Sequence, residues 1–280
     1  MSDNLTRFQS DVTVQDILKL DCEGVSDFRD IFGGQNYGTN LFSERPLRTI
    51  ELYNMTPGTS FQRVFAGLHN LEVIHIHDSN FSAVKNLEFF IDACSVLREL
   101  DLSELDLSNV LYLNQSVAFC YKLKSIKFPA NFGNTSGVMN WQGTFLGCYE
   151  LEELDFSTCT FKVGLSGNTF QNCRNLHTLN LGMIDWSEAT GNIKDNFIWC
   201  LDMLKNFSGY YNMKKSYSLS TFSVLTHESA LNCITGLYDL TEGGTVTDYT
   251  AQTLTFHPDV TAQLTEEEIA EATAKGWNIA

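Results

Sequence analysis

The chain has few basic residues, no long apolar run and no familiar catalytic motif. Lysine and arginine together number 18, against 34 aspartates and glutamates in 280 residues, so the formal net charge is −16. Nucleic-acid partners require a basic footprint that neutralises phosphates, and this balance argues against them. No apolar stretch approaches the roughly 20 residues that cross a bilayer, so we expect no membrane insertion.

Targeting and catalytic signals are also missing from the sequence. The residues from Met1 to Asp11 have neither the basic start nor the apolar core of a signal peptide. No phosphate loop, nucleophile elbow, zinc-protease helix or dinucleotide fingerprint is present, so we expect a non-enzymatic protein without cofactors. No heptad pattern specifies a coiled-coil trimer.

A short phrase recurs instead, in which a hydrophobe and Cys precede Leu-x-x-Leu-x-Leu. The first leucine of each phrase recurs at intervals of 24 to 28 residues. These leucines are Leu47, Leu71, Leu97, Leu123, Leu151, Leu176 and Leu204. So narrow a period indicates stacked repeats, and leucine-rich repeats lie in this range.

Alternation within the phrase predicts a strand in each unit. In the third unit, Leu100 and Leu102 should face the core, while Glu99 and Asp101 face solvent. Large hydrophobes three or four residues before each Cys have the spacing of a helical turn. We therefore predict an α/β leucine-rich-repeat solenoid, with a parallel β-sheet on one face, short helical turns on the other and caps at both ends.

Three regions follow from this prediction. Residues 1–40 form an N-terminal cap, residues 41–222 form about seven coils, and residues 223–280 form a helix–strand–helix–strand closing unit. In the closing unit, Thr265 and Glu268 predict a capping box at the start of a helix. Gly276 predicts the end of that helix before a final strand.

Five of the eight cysteines occupy the same slot in successive units. Their side chains should point the same way rather than toward one another, which disfavours disulfides and predicts buried free thiols. No Cys/His quartet is present, so we expect no metal. These cysteines are Cys94, Cys120, Cys148, Cys173 and Cys200.

The outward positions of the predicted strands form the candidate binding surface. It consists of Tyr53, His75, His77, Glu99, Asp101, Lys127, Glu153, Asp155 and Asn180. The charged members either compensate one another or bind a cation or a sugar, and a carboxylate pair could hydrolyse a glycosidic bond. His75 and His77 are either a weak metal site or a polar surface pair. Trp141 and Trp186 either stack on a ligand or pack internally.

Two segments resemble known families. The phrase Phe-x-x-Cys-x-x-Leu-x-x-Leu-Asp-Leu-Ser resembles the 26-residue repeat of the BspA-like bacterial surface leucine-rich-repeat proteins, over residues 40–210. The first two units lack the Cys, and the last unit has an extra residue. Residues 224–280, ending in Lys275-Gly276-Trp277, resemble the C-terminus of tail-associated repeat proteins of gut bacteriophages and prophages.

The resemblance implies a bacteriophage virion protein, a tail or appendage component that binds a host-surface glycan or protein, or other virion proteins. Its place would be the virion, after assembly in the host cytoplasm, and such components often form homo-oligomers. A bacterial surface adhesin is the alternative reading, and a carbohydrate-active enzyme is a more remote one.

Overall fold

The computed structural model describes residues 17–29, 31–32, 47–133, 135–241 and 249–280. Within these ranges the protein is mixed α/β, with short parallel strands and few helices. The strands are β1 Ile17–Asp21, β2 Thr49–Tyr53, β3 Val73–His77, β4 Glu99–Asp101, β5 Ser125–Lys127, β6 Val138–Met139, β7 Glu153–Asp155, β8 Lys162–Val163, β9 Thr178–Asn180, β10 Asn206–Phe207, β11 Tyr217–Leu219, β12 Gln252–Phe256 and β13 Trp277–Ile279. The helices are α1 His227–Thr235, α2 Pro258–Thr261 and α3 Glu266–Ala274.

The strands of the repeated phrase pair in parallel, each with an equivalent residue of the next unit. Leu52 lies opposite Ile76, Leu100 opposite Ile126, and Leu154 opposite Leu179. The predicted single sheet is divided into three hydrogen-bonded groups, β1-β2-β3, β4-β5 and β7-β9-β10. Among the described strands, β3 and β4 form no ladder, and neither do β5 and β7.

A second line of parallel pairing runs through the loop of each unit. It contains the β6–β8 pair and single bridges that join Ser60, Asn86, Tyr112 and Asn140 in succession. Each unit is therefore tied to the next at two places along its length. This double attachment fixes the register of successive units more firmly than the short strands could alone.

The segments before each Cys are turns, not the helical turns that the spacing predicted. Between residues 47 and 210 the described chain has one helical element, the 3₁₀ turn Ile193–Asp195. In the turn segments before Cys94, Cys120, Cys148 and Cys173, two residues four apart have positive φ, for example Phe89 at 55° and Ala93 at 61°. An α-helix does not continue through a residue with left-handed backbone, because that residue turns the following chain away from the helix axis.

The alternating backbone turns every second N–H toward the next unit. Phe89 N donates to Asn114 O at 3.1 Å, Ile91 N to Ser116 O at 2.9 Å, and Ala93 N to Ala118 O at 2.8 Å. The same pattern recurs in the neighbouring units. Hydrogen bonds between units thus replace the bonds that a helix would have made within one unit, so the buried backbone remains satisfied.

The predicted ladder of buried free thiols is present. All eight cysteines are free and buried. Each of the five ladder thiols donates to a carbonyl of the preceding unit at 3.1 Å, such as Cys94 Sγ to Phe65 O and Cys120 Sγ to Ile91 O. Phe65 O also accepts a bond from Leu68 N. Cysteine suits this slot because it combines a small apolar volume with a weak donor.

The predicted N-terminal cap lies partly outside the described residues, since 1–16, 30 and 33–40 are not included. Its strand β1 pairs in parallel with β2, and Phe28 packs on Phe61 with ring centroids 5.7 Å apart. The described part of this region therefore extends the first sheet and adds aromatic contacts to the core.

Residues 223–280 follow the predicted order of helix, strand, helix and strand, with α2 as an additional short helix. The capping box between Thr265 and Glu268 is present. Glu268 also contacts His227 Nε2 at 3.1 Å, which links α3 to α1. Strands β11, β12 and β13 form a separate parallel sheet.

The Lys275-Gly276-Trp277 motif bonds the last residues of the chain to α1 and to Tyr238. Lys275 Nζ donates to the carbonyls of Ile234 and Thr235, both at 3.1 Å, at the C-terminal end of α1, where a cation is favourable. Gly276 has φ +84°, and an added Cβ would lie 2.6 Å from the Tyr249 ring. Trp277 is buried, and its Nε1 donates to Tyr238 O at 2.9 Å. The motif is therefore structural.

Leu123, in the middle of the stack, provides a test of the core. Leu123 is fully buried, whereas its neighbour Lys124 is exposed. We expect Leu123→Ala to lower the free energy of unfolding by about 2–5 kcal/mol, because it leaves a cavity. Lys124→Ala, the matched control, should change it by less than about 1 kcal/mol. Equal midpoints of urea unfolding for the two variants would contradict the register.

The thiols should be protected in the folded protein. Burial raises the pKa of Cys148 and Cys200 to about 12, and of Cys22 and Cys159 to about 11, so little thiolate exists near pH 8. We expect an aromatic disulfide reagent to titrate almost no thiol in native protein and eight in guanidinium. A Ser95→Cys variant should add one fast-reacting thiol. Rapid native reaction of several thiols in the unaltered protein would refute this.

Candidate functional site

The nine candidate surface residues lie on outward positions of the three sheet groups. Leu100 and Leu154, which lie between the candidate residues of β4 and β7, are buried, which shows the predicted alternation. Ile76, between His75 and His77 in β3, is only partly buried. His75, Glu99, Asp101, Lys127, Glu153 and Asp155 are exposed, whereas Tyr53, His77 and Asn180 are partly covered. The strands therefore present a polar face whose side chains are fixed in register by the buried leucines.

Three aromatic rings cluster on the first sheet. Tyr53 stacks on His77 with centroids 4.8 Å apart, and His77 lies 5.8 Å from His75. The Tyr53 hydroxyl donates to Glu51 Oε2 at 2.8 Å, and Lys19 Nζ contacts the same oxygen at 2.8 Å. The bond from Lys19, followed by that from Tyr53, lowers the pKa of Glu51. The first sheet thus presents the rings of Tyr53, His75 and His77 next to the Glu51 carboxylate, which is paired with Lys19.

The second sheet carries a single charge pair, between Lys127 and Asp101. Lys127 Nζ lies 3.1 Å from Asp101 Oδ2, and both side chains are more than half exposed. The pair forms because Asp101 and Lys127 are register partners. Asp155 instead accepts a bond from Ser157 N at 2.8 Å, and among the described ion pairs Lys127 has no contact with Asp155.

Asp101 is held ionised chiefly by its own turn. The Ser103 hydroxyl donates to Asp101 Oδ1 at 2.6 Å, and Ser103 N donates to the same oxygen at 3.0 Å. The Ser103 side chain contributes most to lowering the pKa of Asp101, and Lys127 contributes less. A carboxylate with a lowered pKa accepts hydrogen bonds but is a poor proton donor at neutral pH.

Within the ranges that the structure describes, no group of three His, Cys, Asp or Glu side chains could hold a metal ion. The His75 and His77 rings lie side by side on the exposed face of β3. Trp141 and Trp186 are both buried, and their rings meet at 6.1 Å, so they pack in the core. Across the same ranges, no helix has the length and apolar character for crossing a bilayer.

A stacked group that the sequence pattern did not predict lies at the position that follows three consecutive ladder cysteines, Cys120, Cys148 and Cys173. Tyr121 stacks on Tyr149 with centroids 4.8 Å apart, and the Arg174 guanidinium lies 4.5 Å above the Tyr149 ring. Nearby in the chain, Trp199 is 68% exposed and Leu201 is 53% exposed. The common offset of Tyr121, Tyr149 and Arg174, one residue after a ladder Cys, was the signal that could have identified this group.

Asn180 differs from the other candidates because it lines a cavity of about 270 Å³. The cavity lies where α1, rather than another strand, covers the edge of β10. Ser229 Oγ accepts a bond from Phe207 N at 3.0 Å, and Thr226 N donates to Lys205 O at 3.0 Å. These contacts fix the helix against the strand edge and leave the cavity between β9, β10 and α1.

Comparisons with known proteins add no family to this description. A scan against protein-family models found no match, and a search of curated proteins found none either.

The electrostatics of Asp101 can be tested directly. We expect Ser103→Ala to raise the pKa of Asp101 more than Lys127→Ala does, because the hydroxyl bond stabilises the carboxylate more than the exposed lysine. Carbon-detected NMR titration of the Asp101 carboxyl measures both changes. Because the folded pKa lies below the unfolded value, the stability that Asp101 contributes is lost as pH falls through the folded pKa. A larger effect of Lys127→Ala would contradict the assignment.

Proposed function

We propose that this chain is a leucine-rich-repeat solenoid that acts by binding, as a non-enzymatic tail or appendage component of a bacteriophage virion. The single observation that carries the binding role is the polar outward face of the paired strands. Its candidate residues project from alternating positions over a continuous buried core. A rigid, repeated surface of this kind is typical of solenoids that recognise a partner.

The structure supports the repeat part of this proposal through its pairing. The phrases pair in parallel with equivalent residues of the next unit, and the leucines of each phrase join one core. The turn segments are stacked by the same kind of bond from unit to unit. The same hydrogen bonds between neighbouring units therefore recur with the period of the sequence.

Catalysis by the carboxylates of the sheet is less well supported than binding. Glycosidases need one carboxylic acid with a raised pKa to protonate the leaving oxygen. The pKa of Asp101 is shifted in the opposite direction by Ser103. Asp101 is better suited to accept hydrogen bonds from a partner than to donate a proton.

The virion setting rests on the resemblance of residues 224–280 to phage repeat proteins. The Lys275-Gly276-Trp277 motif that carries this resemblance closes the fold through α1 and Tyr238. A shared closing unit is a reason to group this chain with those proteins, with host-surface glycan or protein, or other virion proteins, as the partner. A bacterial surface adhesin is the competing assignment, because the repeat phrase resembles that family.

The virion role and the binding face can be tested together. We expect mass spectrometry to detect the chain in virions purified from a lysate of bacteria that carry its coding sequence. In a variant with Asp101→Lys and Lys127→Asp, the ion pair is kept but its polarity is reversed. This variant should fold normally and lose incorporation into particles or adsorption of particles to host cells, because the recognised charge pattern is inverted.

The matched control exchanges Lys122 and Glu150, which form an ion pair outside the strands. Lys122→Glu with Glu150→Lys should leave both readouts unchanged. Absence of the chain from purified virions, with recovery in the bacterial surface fraction, would favour the adhesin instead. If the protein with the Asp101/Lys127 exchange is incorporated normally and its particles adsorb normally, this part of the face does not belong to the binding site.

A further inference from the structure

We propose that the cavity between β9, β10 and α1 is a binding site for one neutral saccharide ring. This inference rests on the proposed binding role and deepens it by naming a ligand class. The cavity volume is about 270 Å³. Pockets for drug-sized ligands begin near 300 Å³, so this cavity fits a ligand of about one sugar ring.

The walls of the cavity are rigid because their hydroxyl groups are bonded within the protein. Ser208 Oγ accepts a bond from Leu181 N at 2.7 Å. Ser229 Oγ accepts from Phe207 N and lies 2.8 Å from Thr226 Oγ1. Since these groups anchor strand β10 and the start of α1, ligand binding requires little reorganisation of the walls.

The asparagine side chains, in contrast, keep unused hydrogen-bonding groups. Asn180 Oδ1 accepts from Gly182 N at 3.1 Å, which leaves its amide N–H groups available. Asn206 Nδ2 donates to Thr178 Oγ1 at 3.3 Å, which leaves its Oδ1 available. Among the described residues, the side chains of Asn232 and Glu228 form no hydrogen bond, and both line the cavity.

These groups match the chemistry of vicinal hydroxyls. Each sugar hydroxyl both donates and accepts, and the cavity offers amide donors, amide acceptors and one carboxylate around a small volume. No lysine, arginine or histidine is among the residues that line it, and Glu228 adds a negative charge. Phosphate, sulfate and carboxylate ligands are therefore disfavoured, and a neutral polyhydroxylated ligand is preferred.

The cavity exists because the repeat ends there. Strand β9 pairs with a strand on each edge, β7 and β10, whereas the outer edge of β10 is covered by α1 through Ser229 and Thr226. A helix packs farther from a strand edge than another strand does, since strands approach to about 4.8 Å. The gap between the last strands and the helix is the space that we assign to the sugar.

The test uses the full-length protein and defined probes. Methyl α-D-glucopyranoside, methyl α-D-mannopyranoside, methyl β-D-galactopyranoside and N-acetylglucosamine are titrated while the side-chain amide signals of asparagine are followed by ¹H–¹⁵N NMR. We expect at least one probe to shift the signals of Asn180, Asn206 and Asn232, with Kd on the order of millimolar. Glucose 6-phosphate should bind more weakly than the best neutral probe.

Asn232→Ala is the decisive variant, because Asn232 is exposed on α1 and alanine is a better helix former. The variant should fold as well as the original chain and bind the best probe roughly five- to tenfold more weakly, as loss of a hydrogen bond implies. Asn206→Ala should act in the same direction. Asn175→Ala, at an exposed position outside the cavity, should have no effect.

Unchanged probe affinity in Asn232→Ala and Asn206→Ala would overturn the site, as would tighter binding of glucose 6-phosphate. Failure of all four neutral probes to shift the asparagine signals at tens of millimolar would overturn it as well. None of these results alters the outcome of the Asp101/Lys127 exchange. Failure of the saccharide site and failure of the proposed binding face are therefore distinguishable.

Discussion

The rest of this structure depends on hydrogen bonds between the turn segments of successive units. In these segments residues four apart adopt left-handed backbone, and every second N–H, which a helix would have used internally, reaches a carbonyl of the next unit. Each unit therefore satisfies its buried backbone only when a neighbour is present. The short strands and the thiol ladder repeat with the same spacing from unit to unit, because the hydrogen bonds between turn segments set the position of each unit relative to the next.

The stacking of the units divides the residues of the repeat phrase into two groups, one that faces the core and one that faces outward. Leucines and cysteines face inward and carry the stability, since each buried leucine contributes roughly 1.5–3 kcal/mol. The residues between them face outward at fixed intervals, so the strand register brings Asp101 to Lys127 and Tyr53 to His77. An exposed ion pair such as that of Asp101 adds little stability, which leaves its position open to selection for binding.

The ends of the stack are where its regular pattern stops and where individual features arise. At the C-terminal side, α1 covers β10, and Lys275 and Trp277 fasten the closing unit. The change from strand to helix at this edge opens the cavity beside Asn180 and Asn232. The proposed saccharide site is thus a consequence of how the protein ends its repeat, whereas the strand face is a consequence of the repeat itself.

The sequence by itself determined the period, the buried and exposed positions of each strand, the thiol ladder and the capping box at Thr265, because these depend on local spacing and side-chain polarity. It failed for the segments before Cys, where hydrophobes at helical spacing lie in turns such as that of Phe89, since the backbone there bonds to another unit. Only the tertiary structure could divide the sheet, bury Trp141 and bring Asn180 together with Asn206 and Asn232. Those outcomes depend on contacts between residues distant in sequence, and the spacing within a single unit does not encode them.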